Sequence, residues 1–204
     1  MAFNFSPKVV TDGLVLALDA ANPRSYVSGS TVWSDLSPNG NRGVLTNGPT
    51  FNSANQGSIQ FDGTNDLCVT STILNFKSIG LFLYLDNGGS GWKYILDARP
   101  GMANSWITLF FDGSSIGIGS AWTSMYINAK QVSVSVPNIP RNTWFYLYVD
   151  SLTLNTAAIA FMNYTVPSQG ASGNLSSVHV YNRTLSTSEI LQNYNALKSR
   201  FGLT

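Results

Sequence analysis

The stretch GNLSSVHVYNRTLSTSEILQNYNALKSRFG, residues 173–202, contains a strand pattern, a turn and the clearest helix pattern of the chain. Residues 177–181 alternate in character, with Val178 and Val180 on one face, which predicts a half-buried strand. The helix that follows is short and amphipathic, so it needs an apolar surface to lie on. We expect a β-sheet formed by the rest of the chain to supply that surface.

The predicted helix has clear start and stop signals. Ser186 and Glu189 have the spacing of a capping box, in which each side chain bonds the main-chain N–H of the other residue. Gly202 is placed to end the helix in a left-handed conformation. We predict a helix over 187–201. Its expected apolar face consists of Ile190, Leu191, Tyr194, Leu197 and Phe201.

Composition restricts the class of protein. Hydrophobic residues make up 44% of the 204 residues, enough for a core, whereas charged residues make up only 10%, against roughly 25% in typical soluble proteins. The net charge of +1 gives no electrostatic argument for binding nucleic acid or an acidic membrane. A surface of Ser, Thr, Asn and Gly suits a particle coat or an extracellular module. Cys68 is the only cysteine, so no internal disulfide forms, and we expect a buried, inert thiol.

The N-terminal sequence MAFNFSPKVV lacks a basic region followed by a long apolar run. We therefore expect no signal peptide and no membrane span, and folding in a cytosol. Residues 1–12 are interpreted as an extended N-terminal arm. Residues 13–204 are interpreted as a single domain, because no repeat or linker interrupts them.

Short apolar segments separated by Gly, Asn, Asp and Pro turns predict many strands. These strands do not alternate with long helices, which argues against a parallel α/β fold. Residues 79–85, IGLFLYL, are apolar on both faces and are predicted to form a central strand covered on both sides. Residues 143–150 and 157–163 are predicted to pair with each other around the intervening connection. The fold class predicted is all-β.

Four stretches resemble the LamG-like jelly-roll domains of the concanavalin A-like superfamily, in particular those of structural proteins of tailed phages and cyanophages. They are GLVLALDA (13–20), WSDLS (33–37), IQFDG (59–63) and VYNRTLS (180–186). The resemblance implies a two-sheet antiparallel jelly-roll sandwich with the C-terminal α-helix packed on it. It is specific for the fold and weak for function, because this fold carries binding, catalytic and structural roles.

Catalysis is disfavoured by the residues available. A glycosidase needs two carboxylates across a groove, and the resemblance implies glutamates in that role. The chain has one glutamate, Glu189, which the predicted cap uses. The only histidine, His179, lies in a strand pattern without a nucleophile motif nearby, and nothing brings Cys68 to it. We predict no enzymatic activity.

Ligand binding has two candidate sites. Asp62, Asn65 and Asp66 are close enough to supply hard oxygens to calcium, as some LamG-like domains do, although turn hydrogen bonds also explain them. In residues 122–128, alternation places one set of side chains on a common face that is suited to a sugar. The candidate glycan-binding residues are Trp92, Trp106, Trp122, Tyr126 and Asn128. The alternative is that these aromatic rings fill the core, as aromatic rings usually do.

Two classes of function remain. The first is a non-enzymatic structural protein of a phage virion, a capsid decoration or tail-fibre protein, with adhesion to host-surface glycans. The second is a carbohydrate-binding adhesin module of cellular origin. The first class implies other virion proteins as partners and a multi-copy or homo-oligomeric arrangement on a symmetric particle. The arm offers apolar anchors for such a partner, or packs along its own sandwich. The proposed anchors are Phe3, Phe5, Val9 and Val10.

Overall fold

The protein is described by a computed structural model. It describes residues 8–87, 91–98, 108–112, 115–118, 122–134, 139–163 and 169–204. Within these ranges the chain forms fifteen strands in two sheets, and every strand ladder is antiparallel. The protein is thus an all-β sandwich with a C-terminal helix, as the sequence predicted.

The larger sheet is named here the β7 sheet, after its central strand. In spatial order it contains β12 (Lys130–Val132), β11 (Trp122–Ile127), β13 (Trp144–Ala157), β7 (Ile73–Leu85), β15 (Ser172–Tyr181), β5 (Ser58–Asp62) and β4 (Thr50–Asn52), with β1 (Leu14–Asp19) also paired to β15. The β8 sheet contains β10 (Ser115–Ile118), β9 (Thr108–Asp112), β8 (Trp92–Asp97), β14 (Ala160–Phe161), β6 (Leu67–Thr70), β3 (Arg42–Thr46) and β2 (Val32–Ser34).

The helical segments are short. A 3-10 turn, Ala54–Gln56, precedes β5. The C-terminal helix α1 spans Thr187–Leu197 and continues as a 3-10 turn, Lys198–Phe201. None of the described helices is long and apolar enough to cross a membrane.

Strand β7 lies at the centre of its sheet and is covered on both faces, as its apolar sequence predicted. Leu81 and Leu83 face the core between the sheets. Phe82 faces the opposite side, where its ring stacks 5.1 Å from the ring of Phe201. The second face is covered because the helix lies across it.

Helix α1 begins at the predicted capping box. The Ser186 main-chain N–H donates to Glu189 Oε2 at 2.8 Å, and the Glu189 N–H donates to Ser186 Oγ at 3.3 Å. Gly202 ends the 3-10 turn with a φ of 66°. Because Ile190 and Tyr194 are both buried against the β7 sheet, the helix closes a second apolar cluster, named here the helix-side cluster.

The apolar face of the helix differs from the prediction at one position. Leu191 is 47% exposed, whereas Asn193 is fully buried. Asn193 lies three residues after Ile190 and therefore on the same side of the helix. The polar residue is tolerated in the contact because its amide has partners there, which are described below.

The prediction that residues 143–150 pair with residues 157–163 is wrong. Strand β13 continues past Asp150 through an irregular segment and stays paired with β7 as far as Ala157. The chain then crosses to the other sheet, where β14 lies between β6 and β8. A register irregularity of this kind depends on the partner strands, so local alternation does not reveal it.

Candidate functional site

One end of the sandwich carries the turn at residues 62–66, the predicted calcium site. Asp62 Oδ1 accepts from the Thr64 N–H at 2.7 Å, and Asp66 Oδ2 accepts from the Asp62 N–H at 3.0 Å. Burial raises the pKa of the Asp66 carboxyl above its ordinary value. The two carboxylates thus hold the main chain of their own turn, which is the usual work of Asp in such turns.

Asn65, the third predicted calcium ligand, contributes to a contact between two turns. Its main-chain oxygen accepts from Asn47 Nδ2 at 2.8 Å. Among the described residues, no three His, Cys, Asp or Glu side chains form a group that suits a metal ion. Calcium binding by Asp62, Asn65 and Asp66 stays a prediction that the turn geometry does not require.

Trp92 begins β8, and the residue after it reaches this turn. The following residue, Lys93, donates from Nζ to the main-chain oxygen of Gly63 at 3.2 Å, which fixes the start of β8 beside the turn. Trp92 is 50% exposed, and it is the only exposed aromatic residue among those whose exposure the structure describes. The structure therefore links the residue after Trp92, a predicted glycan residue, to the predicted calcium turn. Trp92, Lys93 and residues 62–66 are called the Trp92 end.

Trp122 and Tyr126 do not share a face, contrary to the prediction. Trp122 pairs with Ser151 and Ser124 pairs with Asp150, so Thr123 is an extra residue in the ladder. This bulge turns Trp122 into the core between the sheets, where it is 5% exposed. It leaves no ring face for a sugar.

Tyr126 lies on the other side of the β7 sheet. It packs at the margin of the helix-side cluster, and its ring meets that of Tyr148 edge-on at 5.9 Å. The aromatic residues of β11 therefore fill the interior on two sides of one sheet. This is the alternative that the composition of the strand left open.

Asn128 begins the tight turn between β11 and β12. Asn128 and Ala129 have φ values of 50° and 61°, the conformation of a type I′ hairpin turn. Asn128 Oδ1 accepts from the Tyr146 N–H at 2.9 Å, which ties the turn to β13. Asn128 lies beside a cleft between this hairpin and α1. Trp106, the remaining glycan candidate, lies outside the described residues.

The described part of the N-terminal arm packs on its own sandwich. The Val10 N–H donates to Asn193 Oδ1 at 2.8 Å, and its carbonyl accepts from the Tyr181 hydroxyl at 3.1 Å. Val10 is 6% exposed within the helix-side cluster, so it has no surface left to anchor a partner. Val9 is half-buried. Phe3 and Phe5 lie outside the described residues.

Asn193 is the residue that sequence reasoning missed. Besides bonding Val10, its Nδ2 donates to the Tyr181 hydroxyl at 2.9 Å, so one amide joins the arm, β15 and the helix. The sequence carries a signal for it, because an asparagine on the core-facing side of an amphipathic helix needs a buried partner.

The three side chains considered for catalysis occupy structural positions. Glu189 pairs with Arg183 at 2.6 Å, and the hydrogen bonds from that guanidinium and from the Ser186 N–H lower its pKa to about 2. Burial lowers the pKa of His179 to about 4, with Asp19 opposing and Arg200 adding to the shift. Burial raises the pKa of the Cys68 thiol to about 12, so the reactive thiolate is suppressed.

No protein-family model matches the sequence, and no curated protein matches it. Solved structures resemble the fold. The Trypanosoma rangeli sialidase aligns over 94% of this chain and 34% of its own, with 16% identity and a TM-score of 0.63. The binding domain of botulinum neurotoxin serotype D aligns over 91% and 52%, with 13% identity and a TM-score of 0.60. The botulinum neurotoxin type G receptor binding domain aligns over 89% and 51%, with 14% identity and a TM-score of 0.60.

These similarities concern the sandwich itself. The chain spans about a third of the sialidase and about half of the neurotoxin domains. At such low identity the similarity shows a β-sandwich of the jelly-roll type. It does not transfer the functional roles of the neighbours' residues to this chain.

Proposed function

We propose that this chain is a non-enzymatic virion protein, a capsid decoration or tail-fibre protein, that adheres to host-surface glycans through its Trp92 end. The carrying observation is the exposure of Trp92, because an indole half open to solvent is suited to stack on a sugar ring. The similar neurotoxin structures are binding domains, which is compatible with an adhesive role for this kind of sandwich.

Support for the virion assignment comes from sequence. The four matching stretches resemble LamG-like proteins of tailed phages, and the charged content of 10% with a net charge of +1 provides little attraction to DNA or lipid. In this proposal residues 13–204 act as one domain. Residues 1–7, with Phe3 and Phe5, contact the neighbouring particle protein, because Val10 is committed to the helix-side cluster.

A carbohydrate-binding adhesin of cellular origin is the second candidate, favoured by the structural similarity to a receptor binding domain. Mass spectrometry of particles purified on a density gradient separates the two. We expect the chain at stoichiometric level in the particles of its source. Its absence from pure particles would rule out the virion assignment.

Glycan adhesion is tested by binding to an array of host-surface and plant glycans. Trp92→Ala should weaken binding to the recognised sugar by about tenfold or more, since it removes the stacking surface. Leu154→Ala is the matched control, because Leu154 is similarly exposed on β13. Equal binding by both variants would show that Trp92 is not the contact.

The absence of hydrolysis is a separate prediction. Glu189, the only glutamate, is held by Arg183 and by the helix cap, so the usual carboxylate pair of a glycosidase has no glutamate to use. We expect β-glucans, agarose, alginate and host polysaccharide to yield no new reducing ends. Turnover that persists through repurification and disappears on substitution of one aspartate would contradict this.

A further inference from the structure

A cavity of about 370 Å³ lies between the end of α1, the N-terminal arm and strands β1 and β15. The two strands form its floor, and the arm, the end of the helix and the segment after β2 form its walls. This size is in the range of small-molecule sites. Its apolar lining residues are Val9, Leu14, Ala17, Leu36, Ala196 and Leu197.

Strand register places the residues of the floor on one face of the β7 sheet. Val178 and Val180 of β15 belong to the core between the sheets, whereas Tyr181 belongs to the helix-side cluster. Because side chains alternate along a strand, His179 points to the helix side, as Tyr181 does. Ala17 of β1 is paired directly with His179, and directly paired residues point to the same face.

The cavity exists because the strand neighbours of His179 are small. On β7 its partner is Gly80, where the space is filled, since a Cβ at Gly80 would lie 2.6 Å from the Tyr146 hydroxyl oxygen. On β1 its partner is Ala17, whose methyl group leaves room between the sheet and the helix. Leu36 closes the outer side, because its main-chain N–H donates to the Ala17 carbonyl at 2.8 Å.

His179 is a buried polar residue that lines this cavity without a hydrogen bond at Nδ1. Its side chain is 4% exposed, and no group in the described part of the chain bonds Nδ1. Buried polar atoms without a partner are rare in folded proteins. A half-turn of the ring about its Cβ–Cγ bond exchanges Nδ1 with Cδ2, so a molecule in the cavity can supply the partner.

The charges around the cavity favour an uncharged ligand. Lys8 and Asp19 both line it, and the Asp19 carboxylate pairs at 3.1 Å with Arg200, whose side chain is 8% exposed. An anion would meet Asp19, and a cation would meet Lys8 and Arg200. Burial lowers the pKa of His179 to about 4, so the imidazole is neutral at pH 7.

A neutral imidazole has one donor nitrogen and one acceptor nitrogen. A hydroxyl group both donates and accepts, so it can pair with Nδ1 of His179 in either tautomer. A carbonyl oxygen can only accept. Because most of the lining is apolar, the rest of the ligand gains by being hydrocarbon.

We propose that this cavity binds an uncharged, hydroxyl-bearing hydrocarbon, an apolar alcohol or phenol, whose hydroxyl group pairs with His179 and whose hydrocarbon part lies against Leu36, Ala196 and Leu197. The Trp92 end and the described lining of the cavity share no residue. The proposal therefore goes beyond glycan adhesion, and it stands or falls separately from it.

Titration of the full chain with p-cresol, toluene and p-toluate tests the proposal. The three molecules share a methyl-substituted ring, and they differ by carrying a hydroxyl group, no polar group or a carboxylate. His179 is the only histidine of the chain, so the NMR signals of its ring report on this cavity alone. We expect p-cresol to shift these signals saturably. It should bind about fivefold or more tightly than toluene or p-toluate, because only p-cresol supplies the uncharged hydroxyl group.

Two substitutions separate the hydrogen bond from the space. His179→Phe keeps an aromatic ring without the nitrogen, so the calorimetric affinity for p-cresol should fall about fivefold, to that for toluene. Ala196→Leu fills the cavity from the helix, leaves His179 in place and should weaken p-cresol binding by about tenfold or more. It locates the site even if His179→Phe fails to fold. Asn195→Leu adds the same side chain at the residue that lines the cleft beside the β11–β12 hairpin, and it should leave p-cresol binding unchanged.

The outcomes that overturn the proposal are distinct from a failure of the proposed function. Equal affinity for toluene and p-cresol, histidine signals that do not respond, or unchanged binding by Ala196→Leu would each overturn it. Nuclear Overhauser contacts between the His179 ring and Phe3 or Phe5 in the ligand-free chain would show that the arm fills the cavity, and would overturn it too. Loss of Trp92-dependent adhesion with intact p-cresol binding would concern only the proposed function.

Discussion

At the scale of single residues, the contact between helix and sheet depends on polar groups that are buried together. Asn193 accepts the Val10 N–H and donates to the Tyr181 hydroxyl, and Tyr148 accepts the Leu185 N–H at 2.8 Å. Each bond satisfies a group that water cannot reach. Removing one partner therefore costs more than the hydrogen bond itself, because the other partner stays buried and unpaired.

Asn193→Ala is predicted to lower the free energy of unfolding by about 2–4 kcal/mol, since it orphans the Val10 N–H and leaves a small void. Asn195→Ala, at a half-buried position two residues further along the helix, should cost under about 1 kcal/mol. Urea unfolding of both variants gives the comparison. Similar losses for the two would mean that the amide network is not stabilising.

His179 gives stability a pH dependence. It is 4% exposed, and burial lowers its pKa from the ordinary 6.5 to about 4. The unfolded chain thus binds a proton between these values and the folded chain does not, so stability is lost as pH falls from about 6.5 toward 4. The loss should be of the order of 2–3 kcal/mol.

Urea midpoints at pH 7 and pH 4.5 measure this effect. His179→Gln should flatten the dependence in that window, even if the variant is less stable overall. Glu189, whose pKa is lowered to about 2, adds a separate loss below about pH 4.5 in both proteins. If the stability of the His179→Gln variant fell between pH 7 and pH 5 as steeply as that of the unchanged protein, His179 would be excluded as the titrating group.

At the scale of elements, sequence predicted helix α1 well because its signals are local. The capping box, the terminal glycine and the spacing of Ile190 and Tyr194 are all encoded within one stretch. The bulge at Thr123 and the crossing after Ala157 are set instead by the neighbouring strands. Simple alternation therefore predicted a sugar-binding face that contains Trp122. The bulge breaks this alternation, and the structure places the Trp122 ring in the core.

Three substitutions in and beside α1 should separate capping from packing. Ile190→Ala removes a side chain that is 1% exposed and should cost about 2–5 kcal/mol. Ser186→Ala removes the cap and should cost about 1 kcal/mol. Leu191→Ala, at the exposed neighbour, should cost under about 1 kcal/mol. Thermal unfolding ranks them, and an unchanged melting temperature for Ile190→Ala would show that the helix is not packed as described.

At the scale of the whole molecule, the two ends of the described chain stabilise each other. Residues 8–12 lie against α1 and the segment that leads into it: Gln192 Nε2 of the helix donates to the Lys8 carbonyl at 2.7 Å, and Asp12 pairs with Arg183 at 2.8 Å. Together with Asn193, these contacts close the fold across more than 170 residues. The sequence predicted an extended arm. It did not predict the contacts of this arm with the C-terminal segment, because contacts between residues so far apart leave no local pattern.

Shortening the chain distinguishes the packed part of the arm from the proposed anchor. A chain beginning at Lys8 keeps Val10 and its two hydrogen bonds, so its unfolding free energy should stay within about 0.5 kcal/mol of the full chain. A chain beginning at Gly13 loses the burial of Val10, worth roughly 1.5–2 kcal/mol. It also leaves Asn193 Oδ1 without the Val10 N–H and the Tyr181 hydroxyl without the Val10 carbonyl. The exposed ion pair of Asp12 adds little. We expect a total loss of about 3–4 kcal/mol.

Binding of the same two shortened chains to particles tests whether residues 1–7 attach the protein to its neighbour. If residues 1–7 anchor the protein, the chain beginning at Lys8 should be fully folded yet fail to join particles, because it keeps the structural contacts and lacks Phe3 and Phe5. Decoration by that chain at the level of the full protein would refute the anchor. The chain beginning at Gly13 serves as the stability control, since its failure alone would not separate lost folding from lost attachment.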